Sequence, residues 1–306
     1  MRQPLLSIVV ANYNYGRFLD DAIRSVINQD MGDRVELIIC DAASVDNSVE
    51  IIQKYACGLP AKTQRSESTV RNANSQSVDS LISWWCSEKD GGQSAAFNKG
   101  FSHANGKFLT WLNADDILLP GSLAKFQKAV EDNPECEWFV GGGMWLNSDM
   151  RILQMRRGCS FSVIRANRAS LSAWGPSSFF TRRLFKSVGG VDERFHYMMD
   201  TDLWLRFYHN EHAKYKPFGD YAWGFRFHED AKTSGHNFAT SATNDEKHPM
   251  WEQVKQERKL LRENSRISGK LTILSRVFSV DYFHLARSMF DTIIYKGKKY
   301  EEYFAK

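Results

Sequence analysis

Residues 87–123 read SEKDGGQSAAFNKGFSHANGKFLTWLNADDILLPGSL, and the fold can be worked out from this stretch. Phe108–Leu112 is an apolar run of strand length. Asn113-Ala114-Asp115-Asp116 follows at once, so two carboxylates sit where the strand ends. Ahead of the strand, Gln93–His103 has helical spacing. Behind it, Pro120 is placed to open a helix running to about Asn133, because proline suits the first helical turn.

The same alternation extends to both sides. Leu5–Ala11 (LLSIVVA) is a strand, and Phe18, Leu19, Ala22, Ile23, Val26 and Ile27 then recur at helical spacing. Val35–Cys40 (VELIIC) is a second strand, followed by a helix with Val49, Ile51, Ile52 and Tyr55. Leu81–Cys86 is another strand, and the polar Lys62–Ser80 reads as a surface insertion. Such order predicts an α/β fold, with a mostly parallel Rossmann-like sheet and helices on both faces. Ligands then sit beyond the carboxyl ends of the strands.

After Glu137 the pattern changes. Trp138–Val140, Ser178–Thr181 and Ala222–Phe227 read as strands, with a short helix at Thr201–Tyr208. Gly141-Gly142-Gly143 reads as a bend where backbones approach closely. The expected organisation is one α/β domain over 1–235, with a first part at about 1–118 and a second part at about 119–235 that completes the sheet and covers one side of the cleft. A linker at 236–249 and a helical C-terminal extension at 250–306 follow. In the extension, Leu274, Phe278, Tyr282, Ala286, Phe290 and Ile294 recur every four residues, the pattern of a helix face turned to a core.

Composition sets outer bounds. The chain has 306 residues, 42% apolar and 25% charged, an ordinary globular balance. No apolar run of about 18 residues predicts a membrane span. Met1–Pro4 runs straight into a strand without the regions of a secretory signal, so a cytoplasmic location is expected, with the inner face of the cell membrane as the alternative position. Cys40, Cys57, Cys86, Cys136 and Cys159 are scattered without a CxxC pair, and are read as free thiols with no zinc site. The net charge of +4 is uneven, because residues 251–306 hold twelve Lys/Arg against seven Asp/Glu. That region is either a solvated basic tail or a surface for peripheral contact with anionic lipid or acceptor. No nucleic-acid partner is expected.

Three segments offer chemistry. Asn113–Asp116 at a strand end supplies hard oxygen ligands suited to Mg²⁺ or Mn²⁺; the alternative is an acidic cap before Pro120. Asp41, just after VELIIC, is an acceptor-only group able to take a hydrogen bond from a nucleobase; the alternative is a turn and N-cap built with Ser44, Asp46 or Ser48. Asp200-Thr201-Asp202 opens a helix, where the dipole favours carboxylates, and Asp200 can also serve as a general base. No GxGxxG follows the first strand and no GxxxxGK[ST] occurs, which argues against a dinucleotide fold and a P-loop nucleotidase.

In this order the segments SIVVANYNYGRFLDDAIRSVINQ, ELIICDAASVDNSVEII, the quoted stretch, PSSFFTRRLFKSVGGVDERFHYMMDTDLWLRF and FRFHEDAKTS resemble the family 2 inverting glycosyltransferases of A-type fold. They span about residues 5–235. The resemblance implies that Asn12, Tyr13 and Asp41 cradle the nucleoside, and that Asp90, Gly92, Gln93 and Ser94 line the donor site with Asn98 and Lys99 on the helix behind. It implies donor contacts from Asn113 and Asp115, metal binding by Asp115, Asn113 and His228, and Asp200 as the catalytic base. The implied cofactor is Mn²⁺ or Mg²⁺. The implied partners are a nucleotide-diphosphate sugar, UDP-linked by preference, and a glycan or lipid-linked acceptor. Three positions depart from the family pattern: Asn113 replaces an acid, Met199 precedes Asp200 where an acid is common, and Ala95 stands where many relatives have Asp. A nucleotidyltransferase of similar fold and a catalytically weak nucleotide-sugar-binding scaffold are the competing readings.

Overall fold

The computed structural model describes residues 3–56, 82–158, 173–210, 213–232, 249–264 and 282–305. The expected insertion at 62–80 and the polar linker at 236–248 lie outside them, as do Cys57 and Cys159. Cys40, Cys86 and Cys136 are free and buried.

Nine strands form one sheet among the described residues. They are β1 (Leu6–Asn12), β2 (Val35–Asp41), β3 (Ile82–Ser87), β4 (Phe108–Asn113), β5 (Ile117–Leu118), β6 (Trp138–Leu146), β7 (Ile152–Arg156), β8 (Ser178–Thr181) and β9 (Tyr215–Arg226). Their order is β3-β2-β1-β4-β8-β6-β9-β5, with β7 on β6. The first four are parallel. β8 then inserts antiparallel between β4 and β6, so the second half is mixed. β1, β2 and β4 are apolar almost throughout because helices cover both faces. Those helices include α1 (Gly16–Ile27), α2 (Ser48–Tyr55), α3 (Gln93–Ser102), α4 (Ser122–Asp132), α5 (Arg182–Ser187) and α6 (Met199–Tyr208). Leu19, Ile23, Val26, Leu123, Phe126 and Val130 pack on one face, and Phe97, Phe101, Leu203 and Trp204 on the other.

Three local expectations change. Pro120 does not open its helix: Gly121 is the N-cap with φ +70°, a left-handed conformation that favours glycine, and α4 begins at Ser122. Gly141–Gly143 is not a bend but the middle of β6, with irregular register against β9. The close approach is real there, since a Cβ on Gly142 would lie 2.4 Å from the Arg156 carbonyl oxygen. The third change concerns the C-terminal helices α7 (Pro249–Asn264), α8 (Tyr282–Tyr295) and α9 (Glu301–Phe304). Val254 and Leu261 of α7 join the main core, while α8 packs on β7. The α8 face expected to be buried is instead exposed at Phe290 and Ile294. Its inner side is a polar seam. Arg157 pairs with Asp291 at 2.9 Å, Tyr221 donates to the same carboxylate at 2.6 Å, and the Met155 amide donates to Thr292 Oγ1 at 3.0 Å. A buried ion pair needs its partner more than an apolar side chain needs cover, so the seam fixes which side faces in. No described helix is long and apolar enough to cross a membrane.

Candidate functional site

The parallel register puts Asn12, Asp41 and Ser87 side by side at the carboxyl edge, with Asn113 opposite Ala11 one strand over. A cleft of about 840 Å³ opens beyond that edge. Asn12, Tyr13, Asp90, Gly92, Gln93, Asn113, Asp115 and Asp200 all line it, so eight of the thirteen residues implied by the resemblance meet in one cavity. Asp41 and His228 stand just behind its wall.

Asp41 is buried, and four donors occupy its oxygens. Asn12 Nδ2 (2.6 Å) and Ser44 Oγ reach Oδ1, while the Ser44 amide (3.0 Å) and Ser87 Oγ (2.6 Å) reach Oδ2. Asp41 therefore locks the floor of this end. The free acceptor is its neighbour, because Asn12 Oδ1 is buried and has no partner among the described residues. A buried unsatisfied acceptor costs about 1–3 kcal/mol until a donor arrives. Tyr13, 61% exposed, and Val45 stand at the rim, where an aromatic ring can stack on a base. The two loops are laced together: Asn14 Oδ1 accepts from the Val45 amide, and Asp46 Oδ2 from the Gly16 amide, each at 2.8 Å. Asn14 and Ala43 take positive φ to make this turn.

Across the cleft floor runs a polar chain. Lys232 Nζ donates to Gln93 Oε1 (3.1 Å), Gln93 Nε2 to Asn113 Oδ1 (2.9 Å), and Asn113 Nδ2 to Asp116 Oδ2 (2.8 Å). Asn113, expected among the metal ligands, thus uses both ends of its amide as a strut. Asp116 is fully buried, and burial first, then the Asp115 charge, holds its carboxyl well above the usual carboxylate range. Asp115 Oδ2 lies 3.1 Å from His228 Nε2. The imidazole is held by Phe18, 4.4 Å between ring centres, and edge-on by Tyr15 at 5.6 Å. Asp90 caps the turn into α3 by accepting from the Gly92 amide at 2.8 Å, and burial raises its pKa.

Asp200 sits in the first turn of α6. It accepts from its neighbour's amide, Thr201 N, at 2.6 Å, and burial pushes its carboxyl up to about 6. Trp204, one turn on, stacks between Trp111 of β4 (5.4 Å) and Trp138 of β6 (5.3 Å), which pins the helix to the sheet. Asp202 points elsewhere and pairs with Arg206 at 2.6 Å. Asn98 holds the turn before α6 in both directions, accepting from the Val191 amide (2.9 Å) and donating to its carbonyl (2.8 Å). Lys99 pairs with Glu88.

Two charged groups were not picked out by sequence reasoning. Burial lowers the Lys232 ammonium to about 8, against the opposing pull of Glu257 and Asp200. Glu257 of α7 is buried, and its carboxylate accepts the backbone amides of His196, Tyr197 and Met198, each at 2.9 Å. The C-terminal extension thereby holds the loop that delivers Asp200. Lys232 lay within the motif FRFHEDAKTS, four residues after His228. Glu257 gave no local signal, because its partners are about sixty residues away.

Comparison with known proteins agrees with this architecture. The GalNAc(5)-diNAcBac-PP-undecaprenol β-1,3-glucosyltransferase of Campylobacter jejuni is 32% identical over 130 residues, 42% of this chain and 35% of the relative. Among solved structures, residues 1–349 of S. aureus TarS in complex with UDP-GlcNAc have a TM-score of 0.55 at 14% identity, covering 86% of this chain and 68% of that fragment. The mannosyltransferase PcManGT of Pyrobaculum calidifontis, in complex with GDP-Man and Mn²⁺, has a TM-score of 0.51 at 12% identity, covering 96% and 88%. Both share the fold. The chain spans between 32% and 67% of the length of the first curated relatives it matches. The family profile "Glycosyl transferase family 2" matches residues 7–74 and 82–189, more than half of the chain, and on that match the chain belongs to glycosyl transferase family 2.

Proposed function

We propose that the chain transfers a sugar from a nucleotide-diphosphate donor, a UDP-sugar by preference, to a hydroxyl of a glycan or lipid-linked acceptor, with inversion at the anomeric carbon. The observation that carries this reading is one cleft lined by two carboxylates, Asp200 and Asp115 just after β4, with His228 3.1 Å from Asp115 behind the wall. UDP-GlcNAc in TarS and the undecaprenol-linked substrate named for the Campylobacter relative support the choice of donor and acceptor class.

A carboxylate and an imidazole within hydrogen-bond distance suit Mn²⁺ or Mg²⁺, which takes few protein ligands and completes its shell with phosphate oxygens and water. Among the described residues no group of three His, Cys, Asp or Glu side chains is placed to hold a metal ion, so Asp115 and His228 are the two candidate ligands here. Asp115 and His228 would hold the ion, with Asn113 behind them. A bound ion would neutralise charge developing on the leaving diphosphate.

The chain's own groups do the remaining work. Asn12 Oδ1 accepts from the base, and Tyr13 covers it. Lys232 supplies positive charge between Gln93 and Asp200. Asp200, ionised at neutral pH but not strongly acidic, removes the acceptor hydroxyl proton on the face opposite the leaving group. A base with pKa near 6 suits that role, since proton transfer is most efficient when the pKa lies near the working pH. The test is a thermal-shift panel of UDP- and GDP-sugars with and without Mn²⁺, followed by release of nucleoside diphosphate. A matching donor stabilises according to its concentration over Kd. No stabilisation by any nucleotide sugar sinks the reading, and stabilisation without turnover favours the scaffold alternative.

A further inference from the structure

The apolar side of α8 faces solvent: Met289 is 59% exposed, Phe290 62%, Ile293 77% and Ile294 39%. A soluble helix normally turns that face inward. Here the inward side is polar, with Ser288, Asp291, Thr292 and Tyr295 against β7, Arg157 and Tyr221. Because the seam is satisfied by hydrogen bonds and an ion pair, rolling the helix to hide its apolar side would break them. The exposure is therefore built in.

Between residues 287 and 299 the exposed charges have one sign. Arg287, Lys296, Lys298 and Lys299 are all exposed, and the acid within the same span, Asp291, is buried in its pair with Arg157. We infer that the outer face of α8 is a docking surface for an anionic lipid membrane, lying in the interface with its apolar side chains in the acyl boundary and its cations on the headgroups. Like charges argue against a second copy of this chain as the occupant. A two-fold contact through this face would set the same four cations against each other, at a cost in like-charge repulsion. Four side chains on a convex ridge also offer little of the two-sided cover that a protein interface needs, whereas a fluid bilayer conforms to a ridge. Placement fits the use: α8 packs on β7, β7 on β6 and β6 on β9, and Trp223 and Phe225 of β9 line the cleft. The docking claim needs no particular acceptor.

Sedimentation with vesicles of mixed phosphatidylglycerol and phosphatidylcholine, against phosphatidylcholine alone, tests it. The full chain should co-sediment with the anionic vesicles and be released by high salt. Phe290→Ser with Ile293→Ser should lower partition roughly ten-fold or more, from lost apolar burial. Arg287→Gln with Lys296→Gln should lower it about five-fold for each cation. Both variants should keep the wild-type melting temperature, because the side chains are exposed. Equal recovery on neutral and anionic vesicles, or unchanged recovery of either variant, overturns the inference. So does a wild-type dimer that the serine variant converts to monomer, or a large fall in melting temperature showing that the face is packed.

Discussion

Asp200→Asn should make the fold more stable at neutral pH and the enzyme nearly inactive. Both effects come from burying a carboxylate where a proton must be taken up. Burial lifts this carboxyl from 3.8 to about 6. The folded state then binds the proton more tightly than the unfolded chain does. Stability is full below about pH 4, and falls as the pH rises through about 6. A rise of about two pH units, at about 1.4 kcal/mol each, is worth roughly 3 kcal/mol. Asn carries no charge and escapes this cost, and its carbonyl can still accept from Thr201 N. Its NH₂ group needs an acceptor where the second carboxylate oxygen stood, so about half the gain, ~1.5 kcal/mol, is the working figure. At about 2–4 °C per kcal/mol for a domain of this size class, the melting temperature should rise by ~3–6 °C above pH 7. Calorimetry of both proteins across the acid range should show the variant about 1.5 kcal/mol less stable below about pH 4, the curves crossing near about pH 5, and the variant more stable above about pH 6. Turnover, read as nucleoside diphosphate release, should fall by about 10²–10⁴-fold with donor affinity nearly intact. Parallel melting curves at every pH would refute the burial of the charge, and undiminished turnover would refute its role as base.

Asp115→Ala should abolish Mn²⁺-dependent turnover without lowering the melting temperature of the metal-free protein; an unchanged response to chelator would remove Asp115 from metal binding. Asp41→Ala should orphan four donors, weaken nucleoside diphosphate binding by about 1–3 kcal/mol and lower the melting temperature, both read by calorimetry. Glu257→Gln keeps the shape but loses the charge that holds three amides, at a cost of roughly 2–4 kcal/mol, and should speed hydrogen exchange at His196, Tyr197 and Met198. Asn113→Asp would set a carboxylate against buried Asp116, so the apo fold should lose stability and regain it with Mn²⁺. If the variant's melting temperature and Mn²⁺ titration both match the wild type, Asn113 faces neither group.

Parallel strands buried on both faces must be apolar throughout, which is why β1, β2 and β4 stand out as runs and why acids at their ends point to a crevice. Asp200 was legible for a similar reason, since its motif places an acid at a helix start. β9 was only half legible: Lys216 and Asp220 interrupt it, and its pairing with β6 is non-local. The apolar period of α8 is real in the sequence, but period does not say which face docks. Tyr221 and Arg157 decide that from 70 and 134 residues away. Glu257 meets its three amides only because α7 folds back on the core, a contact without local period.

The two ends of the cleft are built on opposite physical terms. At the nucleoside end, Asp41 is saturated by donors, the loops of β1 and β2 are cross-linked, and positive φ at Asn14 and Ala43 is held in place by those links. That end is rigid before any ligand arrives, with Asn12 Oδ1 as its open acceptor. The reacting end holds charges that burial opposes: Asp116 and Asp200 are pushed up, and Lys232 is pushed down. Each would be relieved by an arriving opposite charge or a shared proton. On the proposed reading, a diphosphate would meet Lys232, a cation would meet Asp115 beside Asp116, and an acceptor hydroxyl would offer its proton to Asp200. In that proposal, rigidity would fix where the donor lies, and preorganised charge would favour the reacting groups. This division explains why α7 matters to a site it does not line. The buried Glu257 carboxylate accepts three backbone amides and so fixes the loop that carries Asp200.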